Sequence, residues 1–355
     1  MRSHLVAAAA AAALSFAAGN AYAVTITGAG STWVYPLISK WADAYQKKTG
    51  NQINYASIGS GGGIKQIETG VVAFGASDMP LTPDDLAKSK LIQFPTAIAG
   101  EDMVYNLPGI APGKIILSGP VVADIYMGTI KKWNDPAITK LNAGLKLPDM
   151  AITVVHRSDA SGTTFTFADY LSKVSPEWKT KLGANTSIAW PTGVGGKGNE
   201  GVSAYVQQIK GAIGYVEYAY ILENKLAYTR MINSAGKVVS PSLTGFQAAA
   251  GHVDFTKAKD FYVILTNQPG DDTWPISGCT WQILRKDAPK ATNEDVTKFF
   301  DWGFEKGQKM ATDIAFGPLP PSTGCRDQGL LEDQSRHLMR RRRNELGAVC
   351  KMASN

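Results

Sequence analysis

Charged side chains are sparse in this chain, 19% of its 355 residues, and histidine and cysteine are sparser, at four and three. Each shortage removes a class of function. Between Val24 and Pro321 the only histidines are His156 and His252, far apart and with no cysteine beside them, so no zinc-ligand spacing exists and no metal site is expected. The cysteines, Cys279, Cys325 and Cys350, form no spaced framework, and two of them fall within the last 34 residues. The formal charge of +6 overstates the basicity of the body: Arg2 supplies one unit and 322–355 a net +3, including the run Arg340–Arg343, which leaves +2 for Val24–Pro321. A near-neutral body excludes a nucleic-acid binder. Internal repeats and low-complexity linkers are absent, and no long apolar run follows the first 23 residues.

Those first residues have the pattern of an export leader. Arg2 and His4 precede the apolar run Leu5–Ala18, too short to span a bilayer, and Ala21-Tyr22-Ala23 supplies a small-x-small cleavage site. The expectation is a signal peptide over 1–23, cleavage near Ala23 and a soluble periplasmic product of a size that suits two lobes.

Glycine and small hydroxyl residues are present in a telling arrangement. GAGSTW (Gly28–Trp33), GSGGGIKQ (Gly59–Gln66) and RSDASGTTF (Arg157–Phe165) each place them just ahead of a helical pattern. The first amides of a helix lack intrahelical acceptors and sit at the positive end of its dipole, so such segments can cage an oxyanion. Ser31 or Thr32, Ser60, and Ser161 or Thr163 can add hydroxyl donors, and Arg157 adds a planar, permanently charged fork. Asp78, in FGASDMP, is a candidate charge of the opposite sign. A nucleotide P-loop is excluded at Gly59 because Ile64, Lys65 and Gln66 stand where Gly, Lys and Ser or Thr are needed.

Strand-like runs alternate with amphipathic helical ones, which predicts an α/β fold. Val24–Thr27, Ile53–Ile58, Val71–Phe74, Ile152–Val155 and Ala212–Tyr218 are expected as strands. Helices are expected over Tyr35–Lys48 and Gly62–Glu68, from Thr82, from Ser161–Thr163 through Val174, and around Val202–Ile209. All three Gly/Ser/Thr segments fall between a strand and the next helix, where open α/β sheets bind ligands. Trp190 and Trp274, each before a proline, are expected to pack or to fix turns.

Together with YASIGSGGGIKQI, FGASDMPL, KKWND, GGKGN (Gly195–Asn199) and GAIGYVEYAY (Gly211–Tyr220), these motifs resemble the periplasmic phosphate-binding protein of high-affinity phosphate ABC importers, from about Val24 to Pro321. The resemblance implies a two-lobed periplasmic-binding-protein fold of type II, with the ligand in the interlobe cleft. Lobe 1 would comprise 24–98 plus 268–321, and lobe 2 would comprise 99–267. It implies phosphate contacts at Thr32, Trp33, Ser60, Asp78, Arg157, Ser161, Gly162 and Thr163, support from Ser31, and Asp159 paired to Arg157. It further implies a monomer that delivers inorganic phosphate to the permease and ATPase subunits of an importer, with no cofactor. A buried Asp78 beside an anion is repulsive unless the ligand brings a proton; phosphate carries a P–OH near neutral pH and sulfate does not, so Asp78 would select between them.

Some positions depart from the family pattern. Trp33 stands in place of phenylalanine, His156 precedes Arg157 and is expected at the cleft edge, and Glu101 and Asp102 interrupt an apolar run. After Pro321, 322–355 lacks the amphipathic stripe of the family's closing helix and is expected to be a basic, unpacked tail of frameshift or replacement origin. The competing readings are another oxyanion or small phosphoester as ligand, a phosphoester hydrolase and an adhesive surface protein. Gly75-Ala76-Ser77-Asp78-Met79 lacks the second glycine of a nucleophile elbow and no histidine is placed to activate a nucleophile, so no enzyme is expected. Only the basic tail speaks for adhesion.

Overall fold

A computed structural model of the chain describes residues 23–319 with the exception of 256. The leader before Ala23 and the tail over 322–355 lie outside the described residues.

Three parallel strands start the architecture. Thr25–Gly30 lies between Gln52–Ser57 and Phe74–Ser77, with helices Tyr35–Thr49 and Ser60–Glu68 as crossovers. The first helix follows its sequence signals: Pro36 sits in the first turn, Lys47 and Lys48 face the negative end of the dipole, and Gly50 closes it in the left-handed region at φ 79°, its N–H donating to Gln46 O at 2.8 Å. The expected strand over Val71–Phe74 is displaced. Val71 to Ala73 form a bend after left-handed Gly70, Val71 is 66% exposed, and the strand starts only at Phe74, where pairing with Gly28 begins.

Leu91–Tyr105 organises the rest. Its first ten residues pair antiparallel with Ser277–Arg285, which continues the first half-sheet through Phe74–Ser77, while Glu101–Tyr105 pair antiparallel with Ala212–Glu217. From there the sheet runs on through Thr153–Arg157 to Val194–Gly196. One 15-residue strand thus belongs to both half-sheets.

Each half has an aromatic core. Helix Lys290–Lys306 sets Phe300 edge-on against Phe74 and Phe94, and Phe299 against Tyr45. In the other half Phe167 stacks on Tyr215 with centroids 4.3 Å apart and meets Tyr126 edge-on. Trp41, Trp133, Trp178 and Trp274 are fully buried; full burial of such a side chain is worth several kcal/mol, so these clusters dominate the stability of the two halves. Trp274 packs as expected, its Nε1 donating to the strand carbonyl of Glu101 at 2.8 Å, and Trp190 packs on the His156 ring at 4.8 Å.

Candidate functional site

The strand ends of both half-sheets converge on one buried polar cluster. Ser31 follows Thr25–Gly30, Ser60 opens the helix Ser60–Glu68, Asp78 follows Phe74–Ser77, and Arg157 ends Thr153–Arg157 just ahead of helix Gly162–Val174. Ser31, Thr32, Ser60, Asp78, Arg157, Ser161 and Thr163 are each at most 3% exposed.

Asp78 is held by hydroxyls. Ser31 Oγ lies 2.6 Å from each carboxylate oxygen, Thr280 Oγ1 donates at 2.5 Å and Ser60 Oγ at 3.3 Å. Burial lifts its pKa to about 6, against the opposing pull of Ser31, Thr280, the Arg157 charge and Ser60. Ser60 Oγ in turn accepts from Asp78 N at 3.2 Å and from Gly162 N at 3.0 Å, so it ties the two half-sheets together at the site. Gly162 is required there: a Cβ would stand 2.5 Å from Ser60 Oγ and 2.7 Å from Asp78 N.

Arg157 faces the same space. Nε and Nη2 grip Asp159 at 2.8 and 2.5 Å, and Nη1 donates to Thr163 Oγ1 at 3.2 Å. Burial alone would lower the guanidinium pKa, but the Asp159 bonds and charge outweigh it, so the group is held charged. Burial also acts to raise Asp159, and Arg157 and Gly198 N more than offset it. Three of the five Arg157 side-chain N–H groups are thereby used, leaving one on each Nη for a further acceptor.

Ser161 caps its helix, accepting from Thr164 N at 3.1 Å, which leaves its O–H hydrogen to donate. The first amides of that helix have no intrahelical acceptors. Thr32 lies on the seam between the halves: its Oγ1 accepts from Asn199 Nδ2 at 2.7 Å, and its carbonyl accepts from the Tyr220 hydroxyl at 2.6 Å. Trp33 differs from the other nominated residues. Its side chain is fully buried, packed where a Cβ on Gly278 would stand 3.0 Å from the ring, so its backbone N–H, which donates to Ser31 Oγ at 3.0 Å, is the part near the cluster. His156 stacks on Trp190, and burial lowers its pKa.

Sequence reasoning missed Thr280, Asn199 and Tyr220. Asn199 and Tyr220 fall in motifs noted for their resemblance but carried no assigned role, and Thr280 stands in the strand Ser277–Arg285, which has no glycine or helix signal. Among the described residues no group of three or more His, Cys, Asp or Glu side chains could hold a metal ion.

A cage of hydroxyls, one fixed guanidinium and helix-start amides, closed between two half-sheets, defines an anion-binding protein, and residues 11–306 match the PBP superfamily domain. The chain is 54% identical over 300 residues to the phosphate-binding protein PstS of Xylella fastidiosa strain 9a5c, covering 84% of this chain and 82% of that protein. With the PstS of Pasteurella multocida strain Pm70 the identity is 54% over 299 residues, covering 84% and 87%. The chain belongs to the PstS phosphate-binding protein family. Its two-lobed α/β fold also matches a high affinity periplasmic phosphate-binding protein solved with phosphate bound, at TM-score 0.70 and 21% identity over 86% of this chain and 93% of the other. A substrate-binding protein of a phosphate ABC transporter from Clostridium perfringens gives TM-score 0.62 and 20% identity, covering 83% and 100%.

Proposed function

We propose that this chain is a periplasmic receptor that encloses inorganic phosphate between Arg157 and Asp78 and delivers it to the permease and ATPase subunits of an ABC importer. The observation that carries the reading is the pairing of opposite charges in one closed cluster. Arg157 has two N–H groups left to donate, while Asp78, buried and ringed by hydroxyl donors, accepts the P–OH hydrogen. The hydroxyls of Thr32, Ser161 and Thr163 complete the cage, and Ser60 O–H and the amides of Trp33 and Gly162, which donate to Asp78, Ser31 Oγ and Ser60 Oγ in the structure, turn to the anion as it enters. Ser31 orients Asp78, and Asp159 orients Arg157 and moderates its charge so that the anion can leave.

On this reading the lobes are 24–98 with 268–321 and 99–267, and closure brings Ser60 to Gly162 and Thr32 to Asn199. The chain works as a monomer and as a binder rather than an enzyme, in line with relatives named phosphate-binding proteins. Replacing single partners tests the roles. Arg157→Met removes a buried charge-assisted donor and is expected to cost more phosphate affinity than Thr163→Val, which removes one neutral bond worth about 1 kcal/mol. Equal losses in equilibrium titrations would remove Arg157 from its central place.

A further inference from the structure

The strand shared by both half-sheets carries two acids that the phosphate cage does not use. Antiparallel pairing sets Glu101 directly opposite Glu217, and both are fully buried. Directly opposed residues share a face of the sheet, with Cβ atoms roughly 5 Å apart. Glu217 has a donor: its Oε2 caps the helix Tyr218–Asn224, accepting from Ala219 N at 2.8 Å. Glu101 has none, since neither side-chain oxygen meets a hydrogen-bond partner among the described residues, and Glu217 Oε1 is likewise unpartnered. Asp102, next along the strand, takes Thr229 Oγ1 at 3.0 Å on the opposite face.

An ionised carboxylate sealed from water with no donor on either oxygen costs several kcal/mol, and a second acid across the strand adds repulsion. Burial pushes the pKa of Glu217 well up too, but its capping bond works against that rise, whereas Glu101 has no hydrogen bond among the described residues to oppose its own. The residue opposite Glu101 is tied to the cage, since Glu217 N donates to Asn199 Oδ1 at 3.0 Å and Asn199 Nδ2 donates to Thr32 Oγ1 at 2.7 Å, and charged groups act on Glu101 from several elements. Burial raises its pKa most; Arg157 from Thr153–Arg157 pulls it down, while Asp78 after Phe74–Ser77, Asp102 on its own strand and Glu217 across from it push it up. The phenols of Tyr126 and Tyr215 also feel it, and the Tyr126 hydroxyl has no partner among the described residues.

We propose that Glu101 is a proton-bearing, affinity-setting residue behind the anion site, neutral while phosphate is held and opposed to phosphate capture once it loses its proton. The proposal rests on the phosphate reading. Arg157 already serves Asp159 and lies in the field of Asp78; a charged Glu101 sets one more carboxylate against it and repels the incoming anion through a low-dielectric interior. The proton comes from and returns to solvent. Glu101 touches no ligand, so it acts through Arg157 and the field of the site.

The test is the pH profile of phosphate affinity from pH 6 to 9.5 for the parent chain and Glu101→Gln. At pH 6 the two are expected to agree within about threefold, and the parent is expected to weaken progressively against the variant as pH rises, because only the parent can acquire the charge. Parallel profiles, or a constant offset at every pH, would overturn the proposal, since a merely structural role predicts that offset. Carbon-13 carboxyl spectra of the full chain, with Glu101→Met as a second variant for assignment, are expected to show Glu101 protonated at pH 7. An ionised Glu101 resonance there would also overturn it. Absence of phosphate binding by a folded parent at every pH would instead fail the phosphate reading, and the carboxyl resonance would still decide the state of Glu101.

Discussion

Sulfate should report the proton on Asp78. With its pKa pushed up to about 6 by burial, Asp78 carries a proton in roughly one molecule in a hundred at pH 8 and in about nine in ten at pH 5. Fully deprotonated sulfate has no hydrogen for the ionised carboxylate, whereas the protonated carboxyl can donate to it. Sulfate affinity is therefore expected to rise about tenfold per unit as pH falls from 8 toward 6 and then to level off, a total of about a hundredfold or ~2.7 kcal/mol. Arg157 stays charged throughout, so the change belongs to Asp78. Asp78→Asn replaces the carboxylate by a group that always has N–H to donate; its sulfate binding should be flat with pH and about a hundredfold tighter than the parent's at pH 8. Calorimetric titration of both chains with sulfate at pH 5, 6, 7 and 8 reads this out. Equal parent affinity at pH 5 and 8, or a variant profile that parallels the parent's, would refute the reasoning.

The same carboxyl affects folding stability. The folded chain keeps the Asp78 proton up to about pH 6 while the unfolded chain releases it near its ordinary value of 3.8, so its contribution to stability falls by about 3 kcal/mol as pH rises through that window. Urea unfolding at pH 4 and 7 should show that component vanish in Asp78→Asn. Gly162→Ala places a methyl 2.5 Å from Ser60 Oγ and 2.7 Å from Asp78 N, and is expected to block closure and lower phosphate affinity by more than about a hundredfold; each half keeps its core, so the circular dichroism spectrum should be unchanged. Asn199→Ala removes a donor to Thr32 across the seam and another to Thr163 on its own side, and stopped-flow release of phosphate should accelerate roughly five- to thirtyfold, in line with about 1–2 kcal/mol.

The parts of the fold that were legible in the sequence are those governed by local chemistry. Pro36 and Gly50 bound the first helix, and Ser161 caps the helix behind Arg157, each from short-range signals. Val71 and Val72 have strand propensity and point to a strand that begins at Val71; pairing with Gly28 and the turn at Gly70 override it, and the strand begins at Phe74. In sequence the long strand shows only as an apolar run broken by Glu101 and Asp102, since a strand buried along nearly its whole length has no alternation. Its role in both half-sheets is a property of pairing. The three Gly/Ser/Thr segments announced the cage, whereas Thr280 could not be found this way: its contact with Asp78 spans 202 positions and depends on the antiparallel register of Ser277–Arg285 with Phe74–Ser77.

The most direct measurement is calorimetric titration of the anion-stripped chain with phosphate at pH 8, followed by sulfate under the same conditions. Phosphate capture between Arg157 and Asp78 requires tight one-to-one binding of phosphate and little or no heat from sulfate. A folded chain that binds neither anion, or that takes sulfate as tightly as phosphate at that pH, would contradict it.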